Sequence, residues 1–218
     1  MDVQQAPNSS AIAISRAGLV GYEEALVMQR QFHKEIAAGT RPNSLILLEH
    51  PSVFTAGKRT QEFERPTDGT PVIDVDRGGR ITWHGPGQLV GYPIVKLLNP
   101  TELVGFVRTL ESALIEVCSH FAIKAQRVEG RSGVWICDEK GDRKIAAIGI
   151  RVASGVTMHG FALNVSPDLS AFGQIIPCGI DDAAVTSMAR ELGREIAVSE
   201  VISIVEEEIT AALGKVSA

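Results

Sequence analysis

Three cysteines are the first candidates for covalent chemistry in this sequence, because a thiolate is a strong nucleophile. Cys178 stands between Pro177 and Gly179, where proline fixes the approach of the chain and glycine lets another group come close. Cys118 falls on the apolar face of a predicted helix and is interpreted as a packing residue. Cys137 ends a predicted strand, where packing is also favoured, and it stays a weaker candidate nucleophile. A thiol is only slightly ionised at neutral pH, and Cys178 therefore needs a neighbour that lowers its pKa.

A lysine and two histidines could supply that activation. Lys144 leads into the small and apolar run 145–150, where burial can partly desolvate an ammonium that would favour a nearby thiolate. A solvated lysine at the end of a strand is the alternative. His84 and His159 each precede a glycine, so a Cys–His pair also stays open. The other histidines are interpreted as ordinary surface or turn residues: His33, His50 and His120.

Small residues cluster on two neighbouring predicted strands, as if side chains had been removed to leave a slot: Ala146, Ala147, Gly149, Gly160 and Ala162. An apolar ligand chain could fill such a slot, although close packing of sheet layers explains the same pattern. The stretch 77–80, Arg-Gly-Gly-Arg, looks superficially like a phosphate cradle. It neither matches the P-loop pattern nor opens a helix, so a phosphate site is not favoured.

The composition restricts the class of protein. With 218 residues, 44% of them hydrophobic and 22% charged, we expect a single folded domain spanning 1–218 with a flexible N-terminus at 1–9. The net charge of −5 disfavours nucleic acid as a partner. An odd number of cysteines without CxxC spacing disfavours disulfides and metal sites. No apolar run approaches the roughly 20 residues of a membrane helix, and the polar N-terminus lacks a signal sequence, so a cytoplasmic location is expected.

The first half of the sequence predicts the elements that position these residues. Apolar and β-favouring patterns predict a strand at 11–14, a helix at 22–38 and a strand at 44–49. Three short β-rich runs then follow one another, separated by glycine-containing turns. This succession predicts an antiparallel meander over 72–95.

In the second half, Asn99 as N-cap, Pro100 at the first helical position and Glu102 at the third predict a helix that continues to Phe121. The β-rich runs at 134–137, 144–152 and 154–165 predict a second group of hairpins, and 166–181 reads as a loop with one turn of helix. Ser199 is expected to cap a final helix. The predicted fold class is α+β, or α/β in looser usage: a mainly antiparallel mixed sheet flanked by helices.

Five motifs, taken together, resemble those of the lipoyl(octanoyl) transferases. They occur in order between about residues 45 and 180, and the block beginning Arg-Gly-Gly-Arg is the most specific. The motifs are Glu-His-Pro-Ser-Val-Phe-Thr-Ala-Gly (49–57), Arg-Gly-Gly-Arg-Ile-Thr-Trp-His-Gly-Pro-Gly-Gln (77–88), Lys-Ile-Ala-Ala-Ile-Gly (144–149), His-Gly-Phe-Ala-Leu-Asn-Val (159–165) and Ile-Pro-Cys-Gly (176–179).

The resemblance implies a fold shared with biotin and lipoate protein ligases. It also implies transfer of an octanoyl (or lipoyl) group from acyl carrier protein to a specific lysine of lipoyl domains, in 2-oxoacid dehydrogenase complexes and in the glycine cleavage H protein. Cys178 would be the acyl-accepting nucleophile, and Lys144 would lower its pKa. Thioester exchange needs no ATP and no metal, so no cofactor is expected.

The resemblance further implies an acyl site. Trp83 and Phe161 stand where tyrosine and leucine are commoner in the family, so the resemblance does not fix the width of this pocket. The implied acyl-site residues are Arg77, Gly78, Gly79, Arg80, Ile81, Thr82, Trp83, His84, Ala147, Ile148, Gly149, His159, Gly160, Phe161 and Ala162.

Three other functions remain alternatives. An ATP-dependent lipoate ligase of the same fold would activate a free acid and would not need Cys178. A non-catalytic module would bind acyl chains or carrier protein without a covalent intermediate. A Cys–His hydrolase using His84 or His159 would release free octanoate.

Overall fold

The computed structural model describes residues 12–175 and 184–218. In chain order, the strands are β1 (Ala13–Leu19), β2 (Ser44–Glu49), β3 (Val53–Ala56), β4 (Val72–Asp74), β5 (Thr82–His84), β6 (Gln88–Ile94), β7 (Gln126–Val128), β8 (Arg131–Asp138), β9 (Gly141–Ala153), β10 (Val156–Asn164) and β11 (Ala184–Val185). The α-helices are α1 (Tyr22–Ala37), α2 (Leu103–His120), α3 (Met188–Leu192) and α4 (Val198–Leu213), and short 3-10 helices span Glu62–Glu64 and Leu169–Gln174.

The large sheet has the strand order β1-β2-β6-β10-β9-β8-β7, and β11 also pairs with β9. β1 runs parallel to β2 and β11 runs parallel to β9. The other neighbours in this sheet are antiparallel. The prediction of a mainly antiparallel mixed sheet with flanking helices is therefore confirmed.

Helices cover both faces of the large sheet. α2 and α4 contact each other and build the main apolar core on one face. On the other face, α1 packs against β6 and β10. Its buried residues Tyr22, Ala25, Gln29 and Ile36 recur at intervals of three, four and seven, which places them on one side of a helix.

The predicted antiparallel meander over 72–95 is wrong. β3 lies between β4 and β5 in a separate three-stranded sheet, and β6 belongs to the large sheet. The glycine-rich stretch that was expected to form a tight turn instead lies against β9. The Gly78 N–H donates to the Ile150 carbonyl at 3.1 Å, and the Gly79 carbonyl accepts from the Arg59 N–H at 3.1 Å.

Two helices begin at other residues than the capping patterns predict. α2 begins at Leu103, because the Asn99 side chain accepts from the Thr101 hydroxyl at 2.7 Å and forms a local turn before the helix. α4 begins at Val198 rather than after Ser199. There the Glu200 carboxylate accepts from the Ala197 N–H at 2.8 Å.

The second group of hairpins is confirmed, since β8, β9 and β10 pair in succession. β9 begins at Gly141, so Lys144 lies inside the strand and not at its start. The first strand runs over 13–19 and not 11–14. The flexible segment predicted at 1–9 falls outside the described residues. Within the described ranges, every helix is too short or too polar to cross a membrane.

A buried carboxylate joins α2 to the sheet. Glu111 is fully buried, and its Oε1 accepts from the Gly133 N–H at 2.9 Å. Its Oε2 accepts from Arg108 at 2.7 Å and from Arg127 at 3.1 Å. A charge in such a position is tolerated because each oxygen has donors.

Glu111→Ala is expected to lower the free energy of unfolding by about 2–3 kcal/mol, because the buried Gly133 N–H loses its acceptor. Urea denaturation followed by circular dichroism measures this change. Glu116→Ala, on the exposed side of the same helix, is the matched control and should stay within about 0.5 kcal/mol of the unsubstituted chain. Equal stability of the two variants would contradict the role given to Glu111.

Candidate active site

A cavity of about 250 Å³ opens between α1, the sheet and the glycine-rich stretch of residues 77–80. Exposed residues, among them Arg59, Gly130 and Ser132, form its mouth, whereas the inner end is buried. The residues lining it are Tyr22, Arg59, Arg77, Gly79, Arg80, Thr82, His84, Val90, Tyr92, Gly130, Arg131, Ser132, Lys144, Ala147, Ile148, Gly149, His159, Gly160, Phe161 and Ala162.

The structure brings most of the predicted acyl-site residues to this cavity. Those that line it are Arg77, Gly79, Arg80, Thr82, His84, Ala147, Ile148, Gly149, His159, Gly160, Phe161 and Ala162, together with Lys144.

Three predicted acyl-site residues lie away from the cavity. Gly78 binds the backbone of β9. Ile81 and Trp83 are buried in a separate apolar cluster that includes Phe172. The Trp83 ring stands edge-on to Phe172 with centroids 5.5 Å apart, and its Nε1–H donates to the Ser52 hydroxyl at 2.9 Å. The departure from tyrosine at Trp83 therefore does not alter the lining of the cavity.

An irregularity in strand pairing decides where Lys144 points. Val134 of β8 pairs with Ala146 of β9, whereas the next residue, Trp135, pairs with Lys144. β9 therefore carries one extra residue, Ile145, at a β-bulge. Because side chains alternate between the two faces of a sheet, one extra residue reverses the alternation beyond it.

The bulge places Lys144 on the cavity face. Ile145 and Ala146 both point into the main core on the opposite side, and Lys144 then shares the cavity face with Ala147 and Gly149. The interpretation of Ala146 as part of a ligand slot is wrong, because Ala146 alternates with Ala147 along β9 and so points into the core. Without the extra residue, Lys144 would follow the even-numbered residues into the core.

A glycine makes this bulge possible. Gly133 has a φ of +104°, and a Cβ on it would lie 2.5 Å from the Ala146 carbonyl oxygen and 3.4 Å from Cε of Lys144. A side chain at this position would therefore both strain the backbone and press on the lysine.

The Lys144 side chain is buried and contacts an aromatic ring. Its residue is 6% exposed, and its Nζ lies 4.6 Å from the centre of the Trp135 ring. Such contacts attract a cation to the face of the ring. Among residues 12–175 and 184–218, no carboxylate forms an ion pair with Lys144.

Part of the predicted small-residue slot is occupied by the protein itself. A Cβ on Gly149 would lie 2.9 Å from Cδ of Arg77, so the glycine allows that side chain to cross β9. The Arg77 guanidinium donates to the Thr55 carbonyl at 2.8 Å and to the Arg80 carbonyl at 2.9 Å. Arg77 thereby fixes the glycine-rich stretch against the small sheet.

A chain of hydrogen bonds holds His84 in one neutral form. Arg77 donates to the Thr55 hydroxyl at 2.9 Å, which lies 3.4 Å from Nε2 of His84. On the other side of the ring, Nδ1–H donates to Oε1 of Gln88 at 2.7 Å. The Gln88 amide donates to Asn164 at 2.9 Å. Burial lowers the pKa of His84 to about 3, so the ring is uncharged at neutral pH.

The interpretation of His50 as a surface or turn residue is wrong. Its side chain is fully buried in what we call the ring cluster, formed by Tyr22, His50, His84 and Tyr92. Burial lowers the pKa of His50 and raises the pKa of Tyr22 to about 12. Burial also raises the pKa of Tyr92. The inner end of the cavity is therefore lined by uncharged rings.

His159 is held differently. It has a left-handed backbone with φ of +61°, and its N–H donates to Oε1 of Gln29 at 2.9 Å. Its Nε2 lies 2.8 Å from the Asp76 carboxylate, which also pairs with Arg151. Burial nevertheless lowers the pKa of His159, which favours the neutral ring.

The three cysteines fall into different settings. Cys118 is buried in the main core, where burial raises its pKa to about 12; its assignment as a packing residue is confirmed. Cys137 is partly exposed, and burial is also the main cause that raises its pKa. Cys178 lies outside the described residues.

The described residues on either side of 176–183 lie close to Lys144. Val185 pairs with Lys144 across β11 and β9, and the Thr186 N–H donates to the Lys144 carbonyl at 2.9 Å. Phe172 and Val185 also share with Lys144 the lining of a small second cavity. The chain thus re-enters the described region beside the lysine.

Comparisons with known proteins agree with this arrangement. The sequence profile of the family described as lipoyl protein ligase A/B catalytic domain matches residues 21–210. An octanoyltransferase of Salinispora tropica is 58% identical over 200 residues, which cover 91% of this chain and 94% of that relative. An octanoyltransferase of Acidothermus cellulolyticus is 60% identical over 200 residues, which cover 91% of this chain and 90% of that relative. A bipartite lipoate protein ligase from Thermoplasma acidophilum has a TM-score of 0.70 at 15% identity, covering 93% of this chain and 84% of that chain.

The sheet, its helices and the cavity define a chain with the lipoate protein ligase fold, which confirms the predicted fold. The chain belongs to the family of lipoyl protein ligase A/B catalytic domains. Within that family its relatives are octanoyltransferases, and the chain is an acyltransferase that moves octanoyl groups in protein lipoylation. The alternative of a non-catalytic binding module is therefore wrong.

The sequence analysis missed several residues of the cavity. Tyr92 could have been found, because it follows Val90 by two positions on β6 and so shares its face. Tyr22 could not have been found from the sequence, since it reaches the cavity from the first turn of α1. Arg59, Arg131 and Ser132 line the cavity from loops and strand ends, and the motifs quoted for the family do not contain them.

The neutral state of His84 predicts how stability depends on pH. The folded pKa of about 3 lies below the unfolded value of roughly 6.5, so the unfolded chain binds a proton first as the pH falls. Between pH 7 and pH 5, His84 alone should reduce the free energy of unfolding by about 2 kcal/mol.

Urea denaturation of the unsubstituted chain and of His84→Gln, at pH values from 5 to 8, tests this dependence. The variant should lose less stability between pH 7 and pH 5, by about 2 kcal/mol. Above pH 7.5 the two proteins should show parallel curves, which serves as the internal control. Equal losses of stability below pH 7 would show that His84 is protonated in the folded state.

Proposed function

We propose that the chain transfers octanoyl from the thioester of an acyl carrier protein to the lysine amine of a lipoyl domain, with Cys178 carrying the acyl group between the two. The observation that carries this proposal is the position of Lys144. A buried amine without a carboxylate partner in the described part of the chain lines a cavity whose inner end is apolar and uncharged. Such an amine can stabilise a thiolate and later accept a proton.

In the first half-reaction, the Cys178 thiolate attacks the carbonyl carbon of the donor thioester. A carbon–sulfur bond to Cys178 forms and the bond to the donor sulfur breaks, so one thioester replaces another. The Lys144 ammonium stabilises the attacking thiolate and then gives its proton to the leaving thiolate, which departs as a thiol and leaves Lys144 neutral. Because the exchange is nearly isoenergetic, the step needs no nucleotide.

In the second half-reaction, the neutral amine of the acceptor lysine attacks the same carbonyl carbon. The carbon–nitrogen bond of an amide forms, and the bond to the Cys178 sulfur breaks. The amine must lose a proton, for which a deprotonated Lys144 is the candidate base. The thiolate is thereby restored beside a lysine ammonium.

The cavity supplies the specificity for a medium-length acyl chain. Ala147 and Ala162 give it apolar walls, and each buried methylene group contributes roughly 0.8 kcal/mol. Several methylene groups together favour octanoyl over acetyl by orders of magnitude. Exclusion of water from the buried end also protects the acyl-enzyme from hydrolysis.

The mouth of the cavity is suited to an acidic carrier protein. Lys58 and Arg59 are exposed there, and opposite charges accelerate the encounter of two proteins. Arg143 and Arg151, which could also be considered, are engaged in ion pairs within the chain, with Asp138 and Asp76. We therefore assign docking of the donor to Lys58 and Arg59.

Intact-protein mass spectrometry after mixing with octanoyl-loaded carrier protein tests the acyl-enzyme. The unsubstituted chain should gain the mass of one octanoyl group, and hydroxylamine should remove it, as expected of a thioester. Cys178→Ala should gain none. Cys137→Ala, which removes the partly exposed cysteine of β8, is the matched control and should still be acylated. An undiminished adduct on Cys178→Ala would overturn the assignment of the nucleophile.

The same assay tests Lys144. Lys144→Ala should slow acyl-enzyme formation and transfer to a lipoyl domain by about 10²–10⁴-fold, the usual contribution of a positioned acid or base. Lys140→Ala, in the exposed turn of the same hairpin, should react at the original rate. Octanoate and ATP supplied without carrier protein should give no product. Product formation under that condition would favour the ligase alternative.

A further inference from the structure

The inner end of the cavity is closed by aromatic side chains, and two of them, Tyr22 and Tyr92, lie outside the family motifs. Tyr22, His84 and Tyr92 line it, and His50 lies behind them in the ring cluster. We propose that this ring cluster is the wall that sets the longest acyl chain the enzyme accepts. The inference rests on the proposed function, because it concerns the chain carried by Cys178.

The cavity runs from an exposed mouth to a buried end, and the ring cluster lies at that buried end. Its mouth is formed by exposed residues such as Arg59 and Ser132, whereas Tyr22 and Tyr92 are buried. Lys144 lies on β9 and Tyr92 on β6, with β10 between them. Two steps between strands are about 9.5 Å, which is of the order of an extended octanoyl chain. The methyl end of such a chain would therefore meet the rings.

The rings are packed against one another. The ring of Tyr22 is stacked on His84 with centroids 6.0 Å apart, and it lies 5.1 Å from His50. His50 in turn lies 5.8 Å from His84 and 6.0 Å from Tyr92. Because each ring contacts at least one other, none can rotate out of the way of a longer chain without disturbing its neighbour.

Hydrogen bonds fix the two rings at the back. Nδ1 of His50 lies 2.7 Å from the Val20 carbonyl oxygen, so this nitrogen is the donor. Nε2 of the neutral ring then accepts from the Tyr92 hydroxyl at 2.7 Å. The polar atoms of His50 and Tyr92 are therefore satisfied inside the protein.

The proposed wall is tested by measuring how the rate of acyl-Cys178 formation depends on the length of the acyl chain, which we call the chain-length profile. Acyl carrier protein loaded with chains of six, eight, ten or twelve carbons is mixed with each enzyme, and acyl-Cys178 formation is timed by mass spectrometry. Tyr92→Leu and, separately, Tyr22→Leu should raise the rate for decanoyl relative to octanoyl by about tenfold, which corresponds to burial of two further methylene groups. Two variants are used so that a folding defect in one leaves the test intact.

Two control variants distinguish a change in the preferred acyl-chain length from a change in the overall rate of acylation. Tyr92→Phe keeps the ring and removes only its bond to His50, so its chain-length profile should match that of the unsubstituted enzyme whatever its rate. Val104→Ala, at an exposed position of α2, should change neither rate nor profile. Thermal unfolding of each variant confirms that it is folded.

The outcomes distinguish this inference from the function on which it rests. A shift of the preferred acyl chain to a greater length, in either Tyr92→Leu or Tyr22→Leu, supports the inference that the ring cluster limits chain length. Acylation of Cys178 in folded leucine variants with an unchanged profile overturns the inference and leaves the proposed function standing. Absence of any acyl-Cys178 in the unsubstituted enzyme overturns both.

Discussion

A shift of one residue in the pairing of β8 with β9 decides which face of the sheet Lys144 occupies, and the proposed chemistry of the site depends on it. Ile145 and Ala146 both enter the core, and the lysine reaches the cavity face only because the alternation is reversed there. The shift depends on Gly133, whose backbone comes too close to Ala146 for any side chain. The Glu111 carboxylate accepts a hydrogen bond from the Gly133 N–H. A side chain on a distant helix therefore supports the position of the lysine.

The cavity has a positively charged mouth and an uncharged inner end, and these two environments are separated in space. Arginines and Lys144 make its mouth and reactive end positive, which suits an acidic carrier and a developing thiolate. Its inner end carries histidines and tyrosines, yet burial lowers the pKa of His84 and His50 and raises the pKa of Tyr22. All of these side chains are then neutral near pH 7. An apolar chain can therefore be buried at one end while charge is stabilised at the other.

The sequence predicted the fold class, the second group of hairpins and most residues of the cavity, because these follow from local periodicity and from motifs that are continuous along the chain. It failed where the answer depends on a distant partner. The meander was wrong because β3 inserts between β4 and β5. Ala146 was placed in the slot because it is as small as Ala147, although alternation along a strand puts these two neighbours on opposite faces. The bulge opposite Gly133, which turns Lys144 to the cavity face, is invisible without β8. His50 looked like a turn residue, since nothing near it in the sequence shows that Tyr22 and Tyr92 cover it.

The hydrogen bonds that run from Arg77 through Thr55, His84 and Gln88 to Asn164 all point in one direction. Because Nδ1 of His84 is the donor to Gln88, the lone pair of the imidazole lies on Nε2, and Nε2 faces Thr55. The histidine nearest the buried end is thus not available to deprotonate a water molecule. An esterase needs such a base next to its acyl-enzyme. By directing this lone pair into the protein, the fold withholds His84 as a base for hydrolysis of the proposed acyl-enzyme.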